Sequence, residues 1–104
     1  MIDINELRRL ADDINNLILT IHVLARFEER GIILPDVRKV IMQGEIIEQY
    51  PDDFPYPSCL LLGLSIGDRY LHACVASSGE NIHVITAYYP NPDEWESDFK
   101  KGRR

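Results

Sequence analysis

The feature that most limits what this chain can fold into is a change of hydrophobic period at Gly44. Before Gly44, apolar residues recur every three or four positions; after it they alternate or run on continuously. A period near 3.6 turns one face of a helix to a core, and a period of two does the same for a strand. A chain that switches once, helices first and strands after, predicts helices packed on one face of a sheet, an α+β fold.

The helical half divides into three. Ile4, Leu7, Leu10, Ala11, Ile14, Leu17 and Ile18 form one stripe, so the spacing predicts a helix over 2–19. Asp3, with Glu6 three residues on, has the form of a capping box, and Arg8, Arg9, Asp12 and Asp13 read as its solvated face. A second helix is expected over 21–30. Thr20 is its N-cap, Val23, Leu24 and Phe27 its apolar side, and Gly31 its left-handed stop. A third begins at Pro35-Asp36, where a missing donor costs nothing and a carboxylate suits the dipole. Val37, Val40 and Ile41 make its stripe, and Gly44 ends it.

Residues 45–50 then read as a strand, and 51–57, with three prolines and two aspartates, as a loop. The nearly all-apolar stretch 58–66 predicts a central strand buried on both faces. Turns at Gly67-Asp68 and Ser78-Gly79 separate it from strands over 69–77 and 81–89, and Pro90 and Pro92 end the sheet. Residues 93–101 are expected to form a short C-terminal helix, with Trp95 and Phe99 packing back. Lys100, Lys101, Arg103 and Arg104 make a basic tail. The expected architecture is N-terminal helices on a four-stranded antiparallel β-meander, in one domain over 1–104. A two-residue turn at Ser78-Gly79 puts Leu71, Ala73, Val75, Ile82, Val84, Thr86 and Tyr88 on one face. Tyr70, His72, Cys74, His83, Ile85 and Tyr89 fall on the other, and a bulge would invert the assignment.

Composition excludes several functions. A net charge of −6 and a pI near 4.9 argue against a non-specific polyanion binder. The longest apolar runs are too short to span a bilayer, and no basic region precedes an apolar one at the N-terminus, so a cytoplasmic protein with no membrane contact is expected. Cys59 and Cys74 fit buried, reduced thiols. No phosphate-cradling glycine loop or nucleophile elbow occurs. His72, Cys74 and His83 have the right chemistry for a metal but no ligating spacing, so neither metal nor cofactor is expected.

His22, Arg26 and Arg30 recur every four residues on the second helix, a positive seam on an acidic protein. Metal-independent RNA cleavage needs one group to take the 2′-hydroxyl proton, one to protonate the leaving oxygen, and cations to hold the phosphate. Arginine serves the last role best because its planar fork grips phosphate bidentately. The candidate catalytic set is therefore His22, Arg26 and Arg30 on the helix, with His72, Glu45 and Tyr88 on the sheet. The competing reading is a non-enzymatic interaction or self-association domain. There, Arg26, Arg30, Glu45 and Glu48 form a structural ion-pair network, and Tyr50, Tyr56 and the proline loop offer a surface.

The ordered series His22-x3-Arg26-x3-Arg30-Gly31-Ile32, Asp36-Val37 and Gly44-Glu45-Ile46-Ile47-Glu48-x-Tyr50-Pro51 continues through Pro55-Tyr56-Pro57-Ser58-Cys59-Leu60, Leu71-His72, Ile85-Thr86-Ala87-Tyr88-x-Pro90 and Trp95. This series resembles the bacterial family known as domain of unknown function 4258, over about residues 19–104, with 1–18 outside it. That family has been grouped with RelE- and barnase-like nuclease folds, many of them toxins acting on RNA. The resemblance implies a RelE-like layout, a ribonuclease or RNA-binding role of the toxin–antitoxin kind, and RNA, an antitoxin-like protein or a second copy as partner. It implies recurrent polar positions at His22, Arg26, Arg30, Glu45, Glu48, His72, Thr86 and Tyr88. Two departures stand against a toxin: the acidic balance, and the scarcity of Arg and Lys on the strands.

Overall fold

Asp3 opens the first helix by accepting a hydrogen bond from the Asn5 N–H, and α1 runs over Ile4–Ala11. It is shorter than the expected 2–19 for a local reason. Asp13 is extended, and its side chain accepts from the Asn15 N–H, a local bond that competes with helix continuation. A 3-10 turn over Ile14–Asn16 follows, and Leu17–Ile18 become a short strand, β1. In the computed structural model, residues 1–102 are described; Arg103 and Arg104 of the expected basic tail lie outside the described residues.

Helix α2 spans Ile21–Arg30. Thr20 accepts from the Val23 N–H at its start, and Gly31, at φ +68°, takes the left-handed conformation that ends it. Helix α3 spans Leu34–Gln43. Its buried Asp36 accepts from the Ile33 N–H (3.0 Å) and from the Ile66 N–H (2.9 Å), tying the helix start to a distant turn. The other end of α3 lies directly on the sheet. A Cβ at Gly44 would fall 2.3 Å from the Leu62 carbonyl oxygen and 2.5 Å from that of Val40.

The sheet contains β2 (Glu45–Tyr50), β3 (Ser58–Leu64), β4 (Tyr70–Ser77) and β5 (Ile82–Tyr88) as an antiparallel meander. The expected count of four strands is corrected to five, because β1 adds to β5 in parallel, Leu17 opposite Ile82 and Ile18 opposite His83. Leu61, Leu71, Ala73, Val75, Ile82, Val84 and Ala87 line one face and bury Leu7, Phe27, Val37, Val40 and Ile41 of the helices.

Two bulges decide what the other face carries. Between β4 and β5 the register steps from Cys74↔Thr86 to Val75↔Val84 and leaves Ile85 without an opposite residue. Thr86 and Tyr88, expected on the core face, therefore join His72 and Cys74, and Ala87 enters the core. Between β2 and β3 the step falls at Ile47, so Glu45 stands opposite Leu62, Glu48 opposite Leu60 and Tyr50 opposite Ser58.

The expected C-terminal helix over 93–101 is also corrected. Asn91 caps only one turn, through Asp93 N–H to its side chain and Glu94 N–H to its carbonyl. Trp95 and Gly102 then form an isolated bridge, and the Asp98 side chain accepts from the Lys100 N–H. Two turn-favouring side chains, Asn91 and Asp98, outcompete the helical pattern. The segment becomes a strap laid over the open face.

Candidate functional site on the open sheet face

The register arranges the open face in transverse rows. One row is Glu45, Leu62, His72 and Tyr88; the next is Glu48, Leu60, Cys74 and Thr86; the third is Tyr50, Ser58, Ala76 and His83. Polar groups from β2, β4 and β5 thus meet over a floor of leucine, a consequence of the two bulges.

His72 is the buried centre, with the strap above it. Its Nε2 lies 2.7 Å from the Phe99 carbonyl oxygen and its Nδ1 3.2 Å from the Tyr88 hydroxyl. A carbonyl can only accept, so Nε2 carries the hydrogen and Nδ1 accepts from Tyr88. The Trp95 ring packs edge-on, 4.3 Å between centroids. Burial pulls the imidazole pKa below its ordinary value, outweighing the opposite influence of the Phe99 carbonyl and Glu48. His72 is therefore neutral, closed off from solvent, and holds the Tyr88 phenol in place.

The neighbouring groups keep their protons. Burial, reinforced by Cys74 and Glu48, raises the Tyr88 pKa, with Arg30 acting the other way. Burial and a hydrogen bond donated to Glu48 raise that of Tyr50. Burial and nearby Asp53 raise the Cys74 thiol despite its bond with Ser58. Both tyrosines are donors at neutral pH, and Cys74 is no thiolate nucleophile. Cys59, on the core face, is pushed up to about 12 by burial, and both cysteines are free.

Arg30 reaches this face from the end of α2. Its Nη1 donates to the Ala87 carbonyl (2.8 Å) and to Thr86 Oγ1 (3.3 Å). Among the described residues no carboxylate pairs with it, so its remaining N–H groups can serve an anion.

The candidate residues divide accordingly. Arg30, His72 and Tyr88 come together. Arg26 is exposed and pairs with Glu29 of its own helix at 3.5 Å. His22 is exposed on the first turn of α2. Glu45 lies at the other sheet edge, held 2.7 Å from Lys100 of the strap. The helix-to-strand network of Arg26, Arg30, Glu45 and Glu48 is not formed among the described residues. Glu48, named from the resemblance, is the carboxylate that joins the cluster; Tyr50 had no catalytic signal, and only the Ile47 bulge places it there. Among the described residues no group of three or more His, Cys, Asp or Glu side chains could hold a metal ion, and His83 instead stacks on Tyr56. No helix among them is long and apolar enough to cross a membrane.

A family model described as Domain of unknown function (DUF4258) matches residues 19–89. The match takes in α2, α3 and the whole meander, and stops before the strap. No curated protein and no solved structure matches the chain.

Proposed function

We propose, on the premise that the chain belongs to the DUF4258 family, that it binds single-stranded RNA on the open face of its sheet and cleaves it without a metal. The observation supporting this is that Arg30 and Tyr88 at β5 share one face with Glu48, which stands across it on β2 and acts electrostatically on Tyr88, with neutral His72 behind the phenol. In this reading the Arg30 guanidinium holds the non-bridging phosphate oxygens. Glu48 takes the proton of the 2′-hydroxyl as its oxygen bonds to phosphorus. The phosphorus–O5′ bond breaks, and Tyr88 gives its proton to the leaving oxygen. The products are a 2′,3′-cyclic phosphate and a 5′-hydroxyl, and Glu48 returns its proton to Tyr88 through water. His72 is a positioning residue that fixes the phenol. The layout is RelE-like in role, and the setting a bacterial cytoplasm. With a net charge of −6, affinity comes from few contacts, not from a basic surface.

The test is a fluorescent single-stranded oligoribonucleotide incubated with the protein in EDTA at low salt. We expect cyclic-phosphate ends, no cutting of the all-deoxy oligomer, and losses of about 100-fold or more for Tyr88→Phe and Glu48→Gln. Arg30→Ala should weaken binding, whereas Arg26→Ala should not. RNA left unbound and uncut by the wild-type protein would overturn the proposal.

A second reading rests on Ile21 and Leu24, 85% and 48% exposed on α2. These apolar side chains suit an interface with an antitoxin-like protein or a second copy. Self-association would show as a dimer by light scattering, lost on Ile21→Glu.

A further inference from the structure

Beside the cluster lies a cavity of about 420 Å³, lined in part by Asp53, Phe54, Tyr56, His83 and Ile85. We infer that this cavity is a subsite for one unpaired nucleobase, preferring bases that carry an exocyclic amino group. The inference rests on the RNA-binding reading above and adds to it a base preference.

The cavity has the surfaces a base needs. Tyr56 and His83 stack on each other with centroids 5.2 Å apart and planes 18° from parallel, a rigid pair whose outer ring face can extend the stack to a base. The Phe54 ring, 94% exposed, stands at the rim with no packing to lose. Every base has a π-face, so aromatic side chains bind bases in sequence and recognise single strands in this way. The volume is at the small end for ligand cavities and suits a single flat ring system.

Position argues for the same occupant. Ile85 immediately precedes Thr86 on β5, His83 stands in the neighbouring row of the same face, and Thr86 is where the Arg30 guanidinium rests. Same-face residues along a strand are about 7 Å apart, close to one nucleotide step. A phosphate held at Arg30 therefore carries its adjoining base over the cavity.

Asp53 sets the preference. Its Oδ2 accepts from the Ser58 hydroxyl, leaving Oδ1 as an acceptor among the described residues. An ionised carboxylate offers acceptors only. Adenine, cytosine and guanine present amino donors to it. Uracil presents a single N–H between two carbonyl oxygens, which a carboxylate repels. The same charge excludes a phosphate from the cavity and so selects the base edge.

The experiment measures fluorescence anisotropy with uncuttable 2′-O-methyl hexamers of adenine, cytosine and uracil, beside the cleavage assay. We expect the adenine and cytosine hexamers to bind about ten-fold more tightly than the uracil hexamer. Phe54→Ala should weaken them about ten-fold at unchanged thermal stability. Asp53→Asn, which can still accept from Ser58, should remove the preference over uracil. If the protein binds and cuts RNA but neither variant changes affinity or preference, the subsite is overturned and the RNA reading stands. If no oligomer binds and no RNA is cut, both fall.

Discussion

His72 carries a prediction that tests the geometry of the site without any assumption about function. Its ring is fully buried, and its pKa lies below the ordinary 6.5 because burial disfavours the charged form. The unfolded chain exposes the same ring and takes up a proton near 6.5. Below that pH the unfolded state binds a proton that the native state does not, so stability falls as pH falls and is fully present above it. One pH unit below 6.5 the deficit is at most about 1.4 kcal/mol, the limit in which native His72 takes up no proton there. For a domain of this size that is roughly 6–10 °C in Tm. The comparison is wild type against His72→Gln, whose side chain can still donate to Phe99 and accept from Tyr88 but does not titrate. Both proteins share His22, His83 and every carboxylate, so these cancel in the difference. Far-UV circular dichroism at pH 7.5 and 5.5 gives Tm, and the fluorescence of Trp95, packed on the His72 ring, reports the strap. We expect wild type to lose more than the variant on acidification, by up to roughly 6–10 °C. Equal losses would mean that native His72 binds its proton normally, which removes Nδ1 as the acceptor for Tyr88 and with it the positioning role.

Two stability predictions concern how α3 is seated. Gly44→Ala forces backbone apart, because both close atoms are carbonyl oxygens, at 2.3 and 2.5 Å. It should cost about 3 kcal/mol or more, a fall of roughly 12 °C or more in Tm, and a Tm unchanged by calorimetry would refute the close approach. Asp36→Ala strands the Ile33 and Ile66 amides and should cost about 2–4 kcal/mol, with Asp36→Asn milder. Hydrogen exchange should show both amides losing protection, and full protection at Ile66 would contradict the tie between α3 and the β3–β4 turn.

Most of the helical half and the meander were legible, because their hydrophobic periods are long and their stops are glycine. α2 lies where Thr20 and Gly31 place it, and α3 begins at Leu34, just before Pro35. What escaped were elements set by partners distant in sequence. Leu17 and Ile18 continue a helical stripe in spacing but pair with Ile82 and His83, which no local pattern encodes. The strap has helical spacing at Trp95 and Phe99, yet side-chain bonds from Asn91 and Asp98 favour turns. Within the site, Arg30 and Arg26 are equivalent by period. Only helix α2 ending against β5 separates one that reaches Thr86 and Ala87 from one that pairs within its own helix.

The bulge at Ile85 also means that residue count on β5 carries information that residue identity does not. The side chain at 85 is exposed, and many residues could stand there. Its presence is what phases the following three positions: with one residue fewer, Ala87 would trade faces with Thr86 and Tyr88. The phenol would then point at the helices and lose His72. An apolar substitution there keeps both faces as they are, whereas a single deletion rewrites both the core and the open face. For this chain, alignment gaps at 85 would speak more to whether a related sequence retains the cluster than the letters on either side.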